Sequence, residues 1–232
     1  MKISIIIPTY NEEDNIANLI NKIANNVNLG YELVIIDDYS TDSTYRLVEE
    51  LSRQYTTIKL VRNNQEPGFA NAIITGFNSS NTEVVVPLMA DLCDDLSTIK
   101  KMLDKMNEGY DIVCGSRYIK GGVRLGGSKI KGFFSYFVGR SLSYLLGLPT
   151  TDITNAFKMY KKKVIDRIDI RSNGFEISME IPLKAYYLGY KITEVPTVWR
   201  ERTKGKSSFR IFKLMPAYLK LYLWAIFKKI TK

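Results

Sequence analysis

The chain has 232 residues, with 33 Lys and Arg against 24 Asp and Glu, a formal charge of +9, and no His. This length supports one sizeable core, and the positive excess favours anionic partners such as phosphorylated substrates, an acidic membrane face or nucleic acid. The absence of His excludes Ser-His-Asp and Cys-His catalysis, and Cys93 and Cys114, with no CxxC spacing, support neither a disulfide scaffold nor a structural zinc site.

Met1-Lys2 leads straight into a strand over residues 2–8, so no leader is expected, and Pro8 stops that strand because it lacks a ladder donor. Asn11 to Asp14 offer caps and first-turn residues for a helix whose apolar positions are Ile16, Leu19, Ile20 and Ile23. A second buried strand, Leu33-Val34-Ile35-Ile36, ends in Asp37-Asp38, and a capped helix follows through Leu47, Val48 and Leu51. Residues 58–61 form a third strand, and a small-residue helix covers 69–77. The fourth strand, Val84-Val85-Val86-Pro87, runs into Leu88-Met89-Ala90-Asp91. Alternating strands and helices of this kind predict a parallel sheet covered by helices.

The pattern then loosens. A helix over 96–107 and a strand over 111–115 precede a mobile loop bracketed by Gly121, Gly122, Gly126 and Gly127. Residues 133–148 are apolar and aromatic but too short, and broken by Arg140, for a membrane span; packing as core or as a dimer interface is the alternative. A helix over 175–188 and a strand over 191–198 follow, then a basic stretch over 199–208. Residues 209–232 mix Phe, Tyr, Leu and Trp with Lys at helical spacing and read as a basic amphipathic helix, lying on a membrane surface or packed with a solvated Lys face.

Acidic clusters follow strands one, two and four: Glu12-Glu13-Asp14, Asp37-Asp38, and Asp91 with Asp94-Asp95. In a parallel sheet these share one edge, where open α/β folds bind ligands. Converged carboxylates repel unless a cation or a donor-rich ligand sits among them, which points to Mg²⁺ or Mn²⁺ with a nucleotide diphosphate, or to a base or ribose. Asp94 and Asp95 can equally cap the following helix, whereas Asp91 sits too early to do so. Neither GxGxxG nor a Walker A sequence occurs, which disfavours a dehydrogenase or a P-loop NTPase.

Ser4-Ile5-Ile6-Ile7-Pro8-Thr9-Tyr10-Asn11-Glu12 resembles the opening of the family 2, GT-A-fold glycosyltransferases, and Asp37-Asp38 with Ser40, Thr41 and Asp42 resembles their second motif. Gly115-Ser116-Arg117-Tyr118, Phe175-Glu176, Met179-Glu180, Glu194-Val195-Pro196, Arg202, Gly205 and Ser207 narrow the likeness to polyprenyl-phosphate sugar transferases of the dolichol-phosphate mannose synthase type. The resemblance implies a GT-A-like three-layer α/β/α sandwich over 1–208 with a mostly parallel sheet, plus the amphipathic segment 209–232. It implies inverting transfer of a hexose from a nucleotide-sugar of GDP-mannose or UDP-glucose type to a polyprenyl phosphate. On this likeness Pro8, Tyr10, Glu12, Ile36, Asp38, Ala90 and Asp91 hold the donor. Arg117, Lys131, Ser135 and Arg202 meet phosphates, with Asp91, Arg117 and Arg202 closest to the chemistry.

Asp91 is the expected ligand for Mg²⁺ or Mn²⁺, with Asp94 or Cys93 as supplements. Met89 stands where the family commonly has Asp, Cys93 where a polar metal contact is common, and Ser208 where Lys is common, with Lys204 or Lys206 as its replacement. A thiol is a poor ligand for hard Mg²⁺. The alternative activities are transfer to a saccharide hydroxyl, with Glu176 or Glu180 as base, or a non-catalytic nucleotide-sugar-binding role. No nucleic-acid motif accompanies the basic residues. Absence of a long uncharged apolar run leads to an expected place on the cytoplasmic membrane face, attached through Phe133, Phe134, Tyr136, Phe137 and the basic tail.

Overall fold

The computed structural model describes residues 1–204 and 211–231. The expected boundary between 208 and 209, the motif residues Gly205, Lys206, Ser207, Ser208 and Phe209, and Lys232 lie outside the described residues.

The first half of the chain alternates as its sequence requires: β1 (Ile3–Thr9), α1 (Ile16–Asn26), β2 (Tyr31–Asp37), α2 (Thr44–Ser52), β3 (Ile58–Arg62), α3 (Phe69–Ser79) and β4 (Val84–Pro87). Every residue of β1 is buried, as a central parallel strand with helices on both faces demands. It pairs in parallel with β2 and β4, and β2 pairs in parallel with β3. α1 turns Ile16, Leu19, Ile20 and Ile23 onto one face of the sheet. α3 covers the other, and Gly76 sets its close approach, since a Cβ there would lie 2.3 Å from Ile6 Cγ2.

The second half comprises α4 (Thr98–Asn107), β5 (Ile112–Ser116), β6 (Val123–Leu125), α5 (Lys129–Leu146), β7 (Lys158–Lys161), α6 (Lys162–Ile165), α7 (Ile177–Tyr187), β8 (Ile192–Pro196), β9 (Val198–Arg200) and α8 (Ile211–Ile230). The main sheet has the order β3-β2-β1-β4-β7-β5-β8, with β7 antiparallel to both neighbours. The sheet is therefore mostly parallel between helical layers, as the sequence predicted.

One strand was not anticipated, and two expectations are corrected. β7 escapes the sequence pattern because it is short and carries Lys158, a charge that is fully buried. The single strand expected over 191–198 is two: Pro196 ends β8 in the main sheet, and β9 pairs in parallel with β6 in a separate ribbon. The loop expected to be mobile around Gly121 to Gly127 thus contains a paired strand.

A third apolar cluster joins α5, α7 and α8 through Leu142, Leu146, Met179, Leu183 and Ala225. Gly139 lets α5 press against the segment after it, because a Cβ at that position would stand 2.0 Å from the Thr151 carbonyl oxygen. Gly147 ends α5 with φ +75°, a left-handed conformation suited to glycine. α5 is only partly core: Leu142 is buried while Ile130, Phe133, Phe134 and Phe137 are exposed. No helix among the described residues is long and apolar enough to cross a membrane.

Candidate functional site

The loops leaving β1 and β2 are tied to each other. Asn11 N donates to Ser40 Oγ at 3.1 Å, Thr41 N to Asn11 Oδ1 at 2.8 Å, and Glu12 N to Thr44 Oγ1 at 2.8 Å. Glu13 accepts from Ser43 N, and Asp42 from Glu13 N, so these two acids serve the loops. Asp38 accepts from Asn63 Nδ2 at 2.7 Å and from Gly68 N, pinning the loop before α3. Asp37 is fully buried, with Arg62 Nε 3.6 Å from Oδ2. Pro8 and Ile36 face one another in the ladder, and Tyr10 stands beyond them with 54% exposure.

A cavity of about 580 Å³ opens beside these loops. Its polar end takes Glu12, Asp91, Asp94, Arg117, Lys131, Ser135 and Arg202. Its other walls are apolar, from Phe134, Phe137 and Val138 on α5 and Leu214, Met215, Tyr218 and Tyr222 on α8. The expected acceptor and catalytic residues thus come together with Glu12. Pro8, Tyr10, Ile36 and Asp38 lie outside this cavity at the adjoining strand ends, and Ala90 is buried behind it.

Both arginines of the polar end are paired with acids. Arg202 Nη2 lies 2.8 Å from Glu12 Oε1 and 3.6 Å from Asp91 Oδ2. Burial opposes the Arg202 charge, but these two acids outweigh it and raise its pKa. Arg117 is held by Asp152: Nε to Oδ2 at 2.7 Å, Nη2 to Oδ1 at 2.7 Å, and the backbone N to Oδ2 at 3.0 Å. Here too burial disfavours the cation and the carboxylate overcomes it, so Arg117 titrates above its ordinary range. Arg117 Nη2 also reaches Ser135 Oγ at 2.8 Å, which in turn meets Thr154 Oγ1 at 2.6 Å.

Asp152, Thr154, Tyr218 and Tyr222 were not singled out from the sequence. An isolated Asp in a loop carries no pattern, and the tyrosines stand in an apolar stretch that reads as packing.

Asp94 and Asp95 separate cleanly. Asp95 accepts from Ser97 N and Oγ and turns the chain into α4. Asp94 lines the cavity, and its buried Oδ1 has no hydrogen-bond partner among the described residues. Burial, then the Asp91 charge, pushes its carboxyl up to about 7, with Arg117 pulling the other way. Asp91 Oδ1 accepts from Cys93 N at 3.1 Å. Cys93 is buried, and burial together with Asp91 drives its thiol pKa far upward, so it remains a neutral thiol and a weak ligand for hard cations.

No three Cys, Asp or Glu side chains among the described residues converge as a ready-made metal cage. Mg²⁺-type sites use one or two carboxylates and fill the remaining positions with water and substrate phosphates. Asp91 and the orphaned oxygen of Asp94 fit that donor set.

Glu176 and Glu180, weighed from the sequence as bases, are committed elsewhere. Glu176 accepts from Asn173 N and Gly174 N. Glu180 accepts from Arg171 N and Ser172 N and pairs with Lys184. Neither lines the cavity.

The profile of glycosyl transferase family 2 matches residues 4–169. The chain belongs to this family. A dolichol-phosphate mannosyltransferase of Pyrococcus furiosus is 34% identical over 97% of the chain, which spans 64% of that protein's length. A polyprenol monophosphomannose synthase of Mycolicibacterium smegmatis is 28% identical over 96% of the chain and 86% of its own length. Among solved structures, glucosyl-3-phosphoglycerate synthase of Mycobacterium tuberculosis, in complex with Mn²⁺, UDP and its product, superposes with a TM-score of 0.72 at 17% identity, over 97% of this chain and 80% of the other. That likeness establishes the GT-A fold for this family 2 glycosyltransferase chain.

Proposed function

We propose that the chain transfers a hexose, with inversion, from a nucleotide-sugar of GDP-mannose or UDP-glucose type to a polyprenyl phosphate. The observation that carries this reading is the composition of one cavity. Paired arginines and acids at the carboxyl edge of the sheet open directly into a trough walled by α5 and α8 apolar side chains. A soluble saccharide would have no use for the trough, whereas a phosphate on a long hydrocarbon needs both ends.

In this reading Arg117 and Lys131, with Ser135, receive the acceptor phosphate. A phosphate monoester has a second pKa of about 6 and is largely ionised near neutrality. Its oxygen can attack the anomeric carbon without a side-chain base, which agrees with the lack of His and with the engagement of Glu176 and Glu180 by backbone amides. Arg202 stands beside the donor diphosphate and offsets the charge that develops as it departs. Pro8, Tyr10, Glu12, Ile36, Asp38 and the backbone at Ala90 would hold the nucleotide. Asp91 and Asp94 would hold Mg²⁺ or Mn²⁺, whose chemistry is to screen that diphosphate.

The mouth of the trough and the surface beside it support a bilayer-bound acceptor. α8 exposes Met215, Leu219, Leu223, Phe227 and Ile230 at helical spacing, and α5 exposes Ile130, Phe133, Phe134 and Phe137. Lys213, Lys220, Lys228 and Lys229 lie among the exposed residues of α8, and each Lys near an anionic leaflet contributes about 1 kcal/mol. We place the protein peripherally on the cytoplasmic leaflet, with the trough opening toward the lipid. The test compares acceptors of different chain length: a long polyprenyl phosphate should exceed a soluble short-chain isoprenyl phosphate in kcat/KM. Met215→Glu should abolish that preference while leaving nucleotide binding intact. Equal use of both acceptors by the unaltered protein contradicts the reading.

A further inference from the structure

Among the described residues, the non-glycine positions with φ in the left-handed region are Asn11 (53°), Tyr39 (62°) and Leu92 (62°). All three sit just past β1, β2 and β4, at the one sheet edge that carries the acidic clusters. Asn tolerates this conformation, but a bulky side chain there is strained, and such strain persists where surrounding structure enforces it at functional positions. Leu92 is placed between Asp91 and Cys93, and its strain goes with the turn that aims those residues.

Tyr39 has no such explanation in packing. Its ring is 43% exposed, so burial does not offset the strain. Its hydroxyl makes one long hydrogen bond, 3.3 Å, to the Gln65 carbonyl oxygen. Its neighbours hold it in place: Asp38 is locked to Asn63 and Gly68, and Ser40 accepts from Asn11 N. The loops of β1 and β2 leave the sheet side by side, with Asp38 N bonded to Thr9 O at 2.8 Å. Two exposed aromatic rings, Tyr10 and Tyr39, therefore stand on adjoining loops directly beyond the Pro8 and Ile36 pair.

We propose that Tyr39 is a binding residue whose ring stacks on the nucleobase of the donor, opposite or beside Tyr10. This rests on the nucleotide-sugar reading and adds to it a residue that neither the family likeness nor the cavity identifies. Aromatic faces accept any base, so the contact would strengthen affinity for nucleotides generally and leave discrimination among bases to polar groups. Loss of one stacked ring weakens binding by roughly tenfold.

The experiment titrates GDP and UDP, each with Mn²⁺, into the full chain and into its Tyr39→Asn and Tyr39→Phe variants, and records thermal midpoints alongside. Tyr39→Asn should bind the preferred nucleotide about tenfold more weakly while melting at the same or a higher temperature, because Asn relieves the strain. Tyr39→Phe should stay within about twofold of the unaltered protein. Equal affinity in Tyr39→Asn overturns the proposal and leaves the donor reading standing. Equal loss in both variants overturns it too, since the hydroxyl link to Gln65 would then be the cause. If the unaltered chain binds neither nucleotide, the donor reading and this inference fall together.

Discussion

Asp152→Asn is the most informative single change outside the expected site residues. Asp152 is fully buried and the Arg117 side chain is 11% exposed, so the pair is removed from water and held by two side-chain contacts of 2.7 Å. Asparagine keeps the shape and one accepting oxygen, but it turns an amide donor toward an Arg117 donor and leaves the guanidinium charge uncompensated. Breaking one partner of a buried pair costs about 3–5 kcal/mol. For a chain of this size each kcal/mol moves the thermal midpoint by about 2–4 °C, so Asp152→Asn should melt about 6–20 °C lower. Its transfer rate should fall by about 10²–10³, the loss typical of one misplaced donor to a reacting oxyanion. Thermal unfolding followed by far-UV dichroism, with a transfer assay well below the new midpoint, measures both. The double variant Arg117→Met with Asp152→Leu should recover stability without recovering transfer, because two apolar groups remove the buried charge altogether. An Asp152→Asn protein within about 1 kcal/mol of the unaltered stability and fully active would refute this account of the pair.

Three further outcomes are expected. Met89 lines the cavity beside Asp91, and Met89→Asp supplies a hard oxygen in place of a thioether. Mn²⁺ affinity in the presence of GDP or UDP, read by paramagnetic resonance, should tighten at least about tenfold, a change of about 1.4 kcal/mol. Gly139→Ala should destabilise by about 1–3 kcal/mol in urea unfolding, because its methyl would meet the Thr151 carbonyl that adjoins Asp152. Lys158 is buried and bonded to the Ile153 and Asn155 carbonyls, and burial lowers its pKa to about 8. The native state then binds fewer protons than the unfolded state between pH 8 and about 10.5, so stability rises with pH across that window. The stability difference between the unaltered protein and Lys158→Met should shift by about 3 kcal/mol in favour of Lys over that range; a flat difference contradicts the assignment.

The first half of the fold was legible because each of its strands is a short continuous apolar run and each helix keeps one apolar stripe. β7 was not, because its four residues include a buried lysine whose ammonium donates to carbonyls of its own preceding turn. The acidic edge was read as a set of converging carboxylates, and the structure divides that set. Glu12, Asp91 and Asp94 face the cavity, Asp38 and Asp42 hold loops, and Asp95 starts a helix. Sequence alone does not separate these roles, since every one of them calls for a short carboxylate after a strand. Arg117 was legible by resemblance, yet its partner Asp152 was not, because 35 residues separate them and the segment after α5 meets the end of β5 through contacts such as Asn155 Nδ2 to Gly115 O and Thr151 Oγ1 to Ser116 Oγ, which no local pattern announces. The amphipathic character of the tail was visible from Lys spacing. Its share in walling a cavity required α5 and α8 to be seen together.

The central claim is that one cavity joins a nucleotide diphosphate to a lipid phosphate. The purified chain should be mixed with radiolabelled GDP-mannose or UDP-glucose, Mn²⁺ and a polyprenyl phosphate in anionic vesicles, and label in the lipid extract measured. The account predicts a lipid-linked hexose with one of these donors, formed in amounts that fall together with Arg117→Met. Label that appears only on added saccharides, or lipid product unaffected by Arg117→Met, would contradict it.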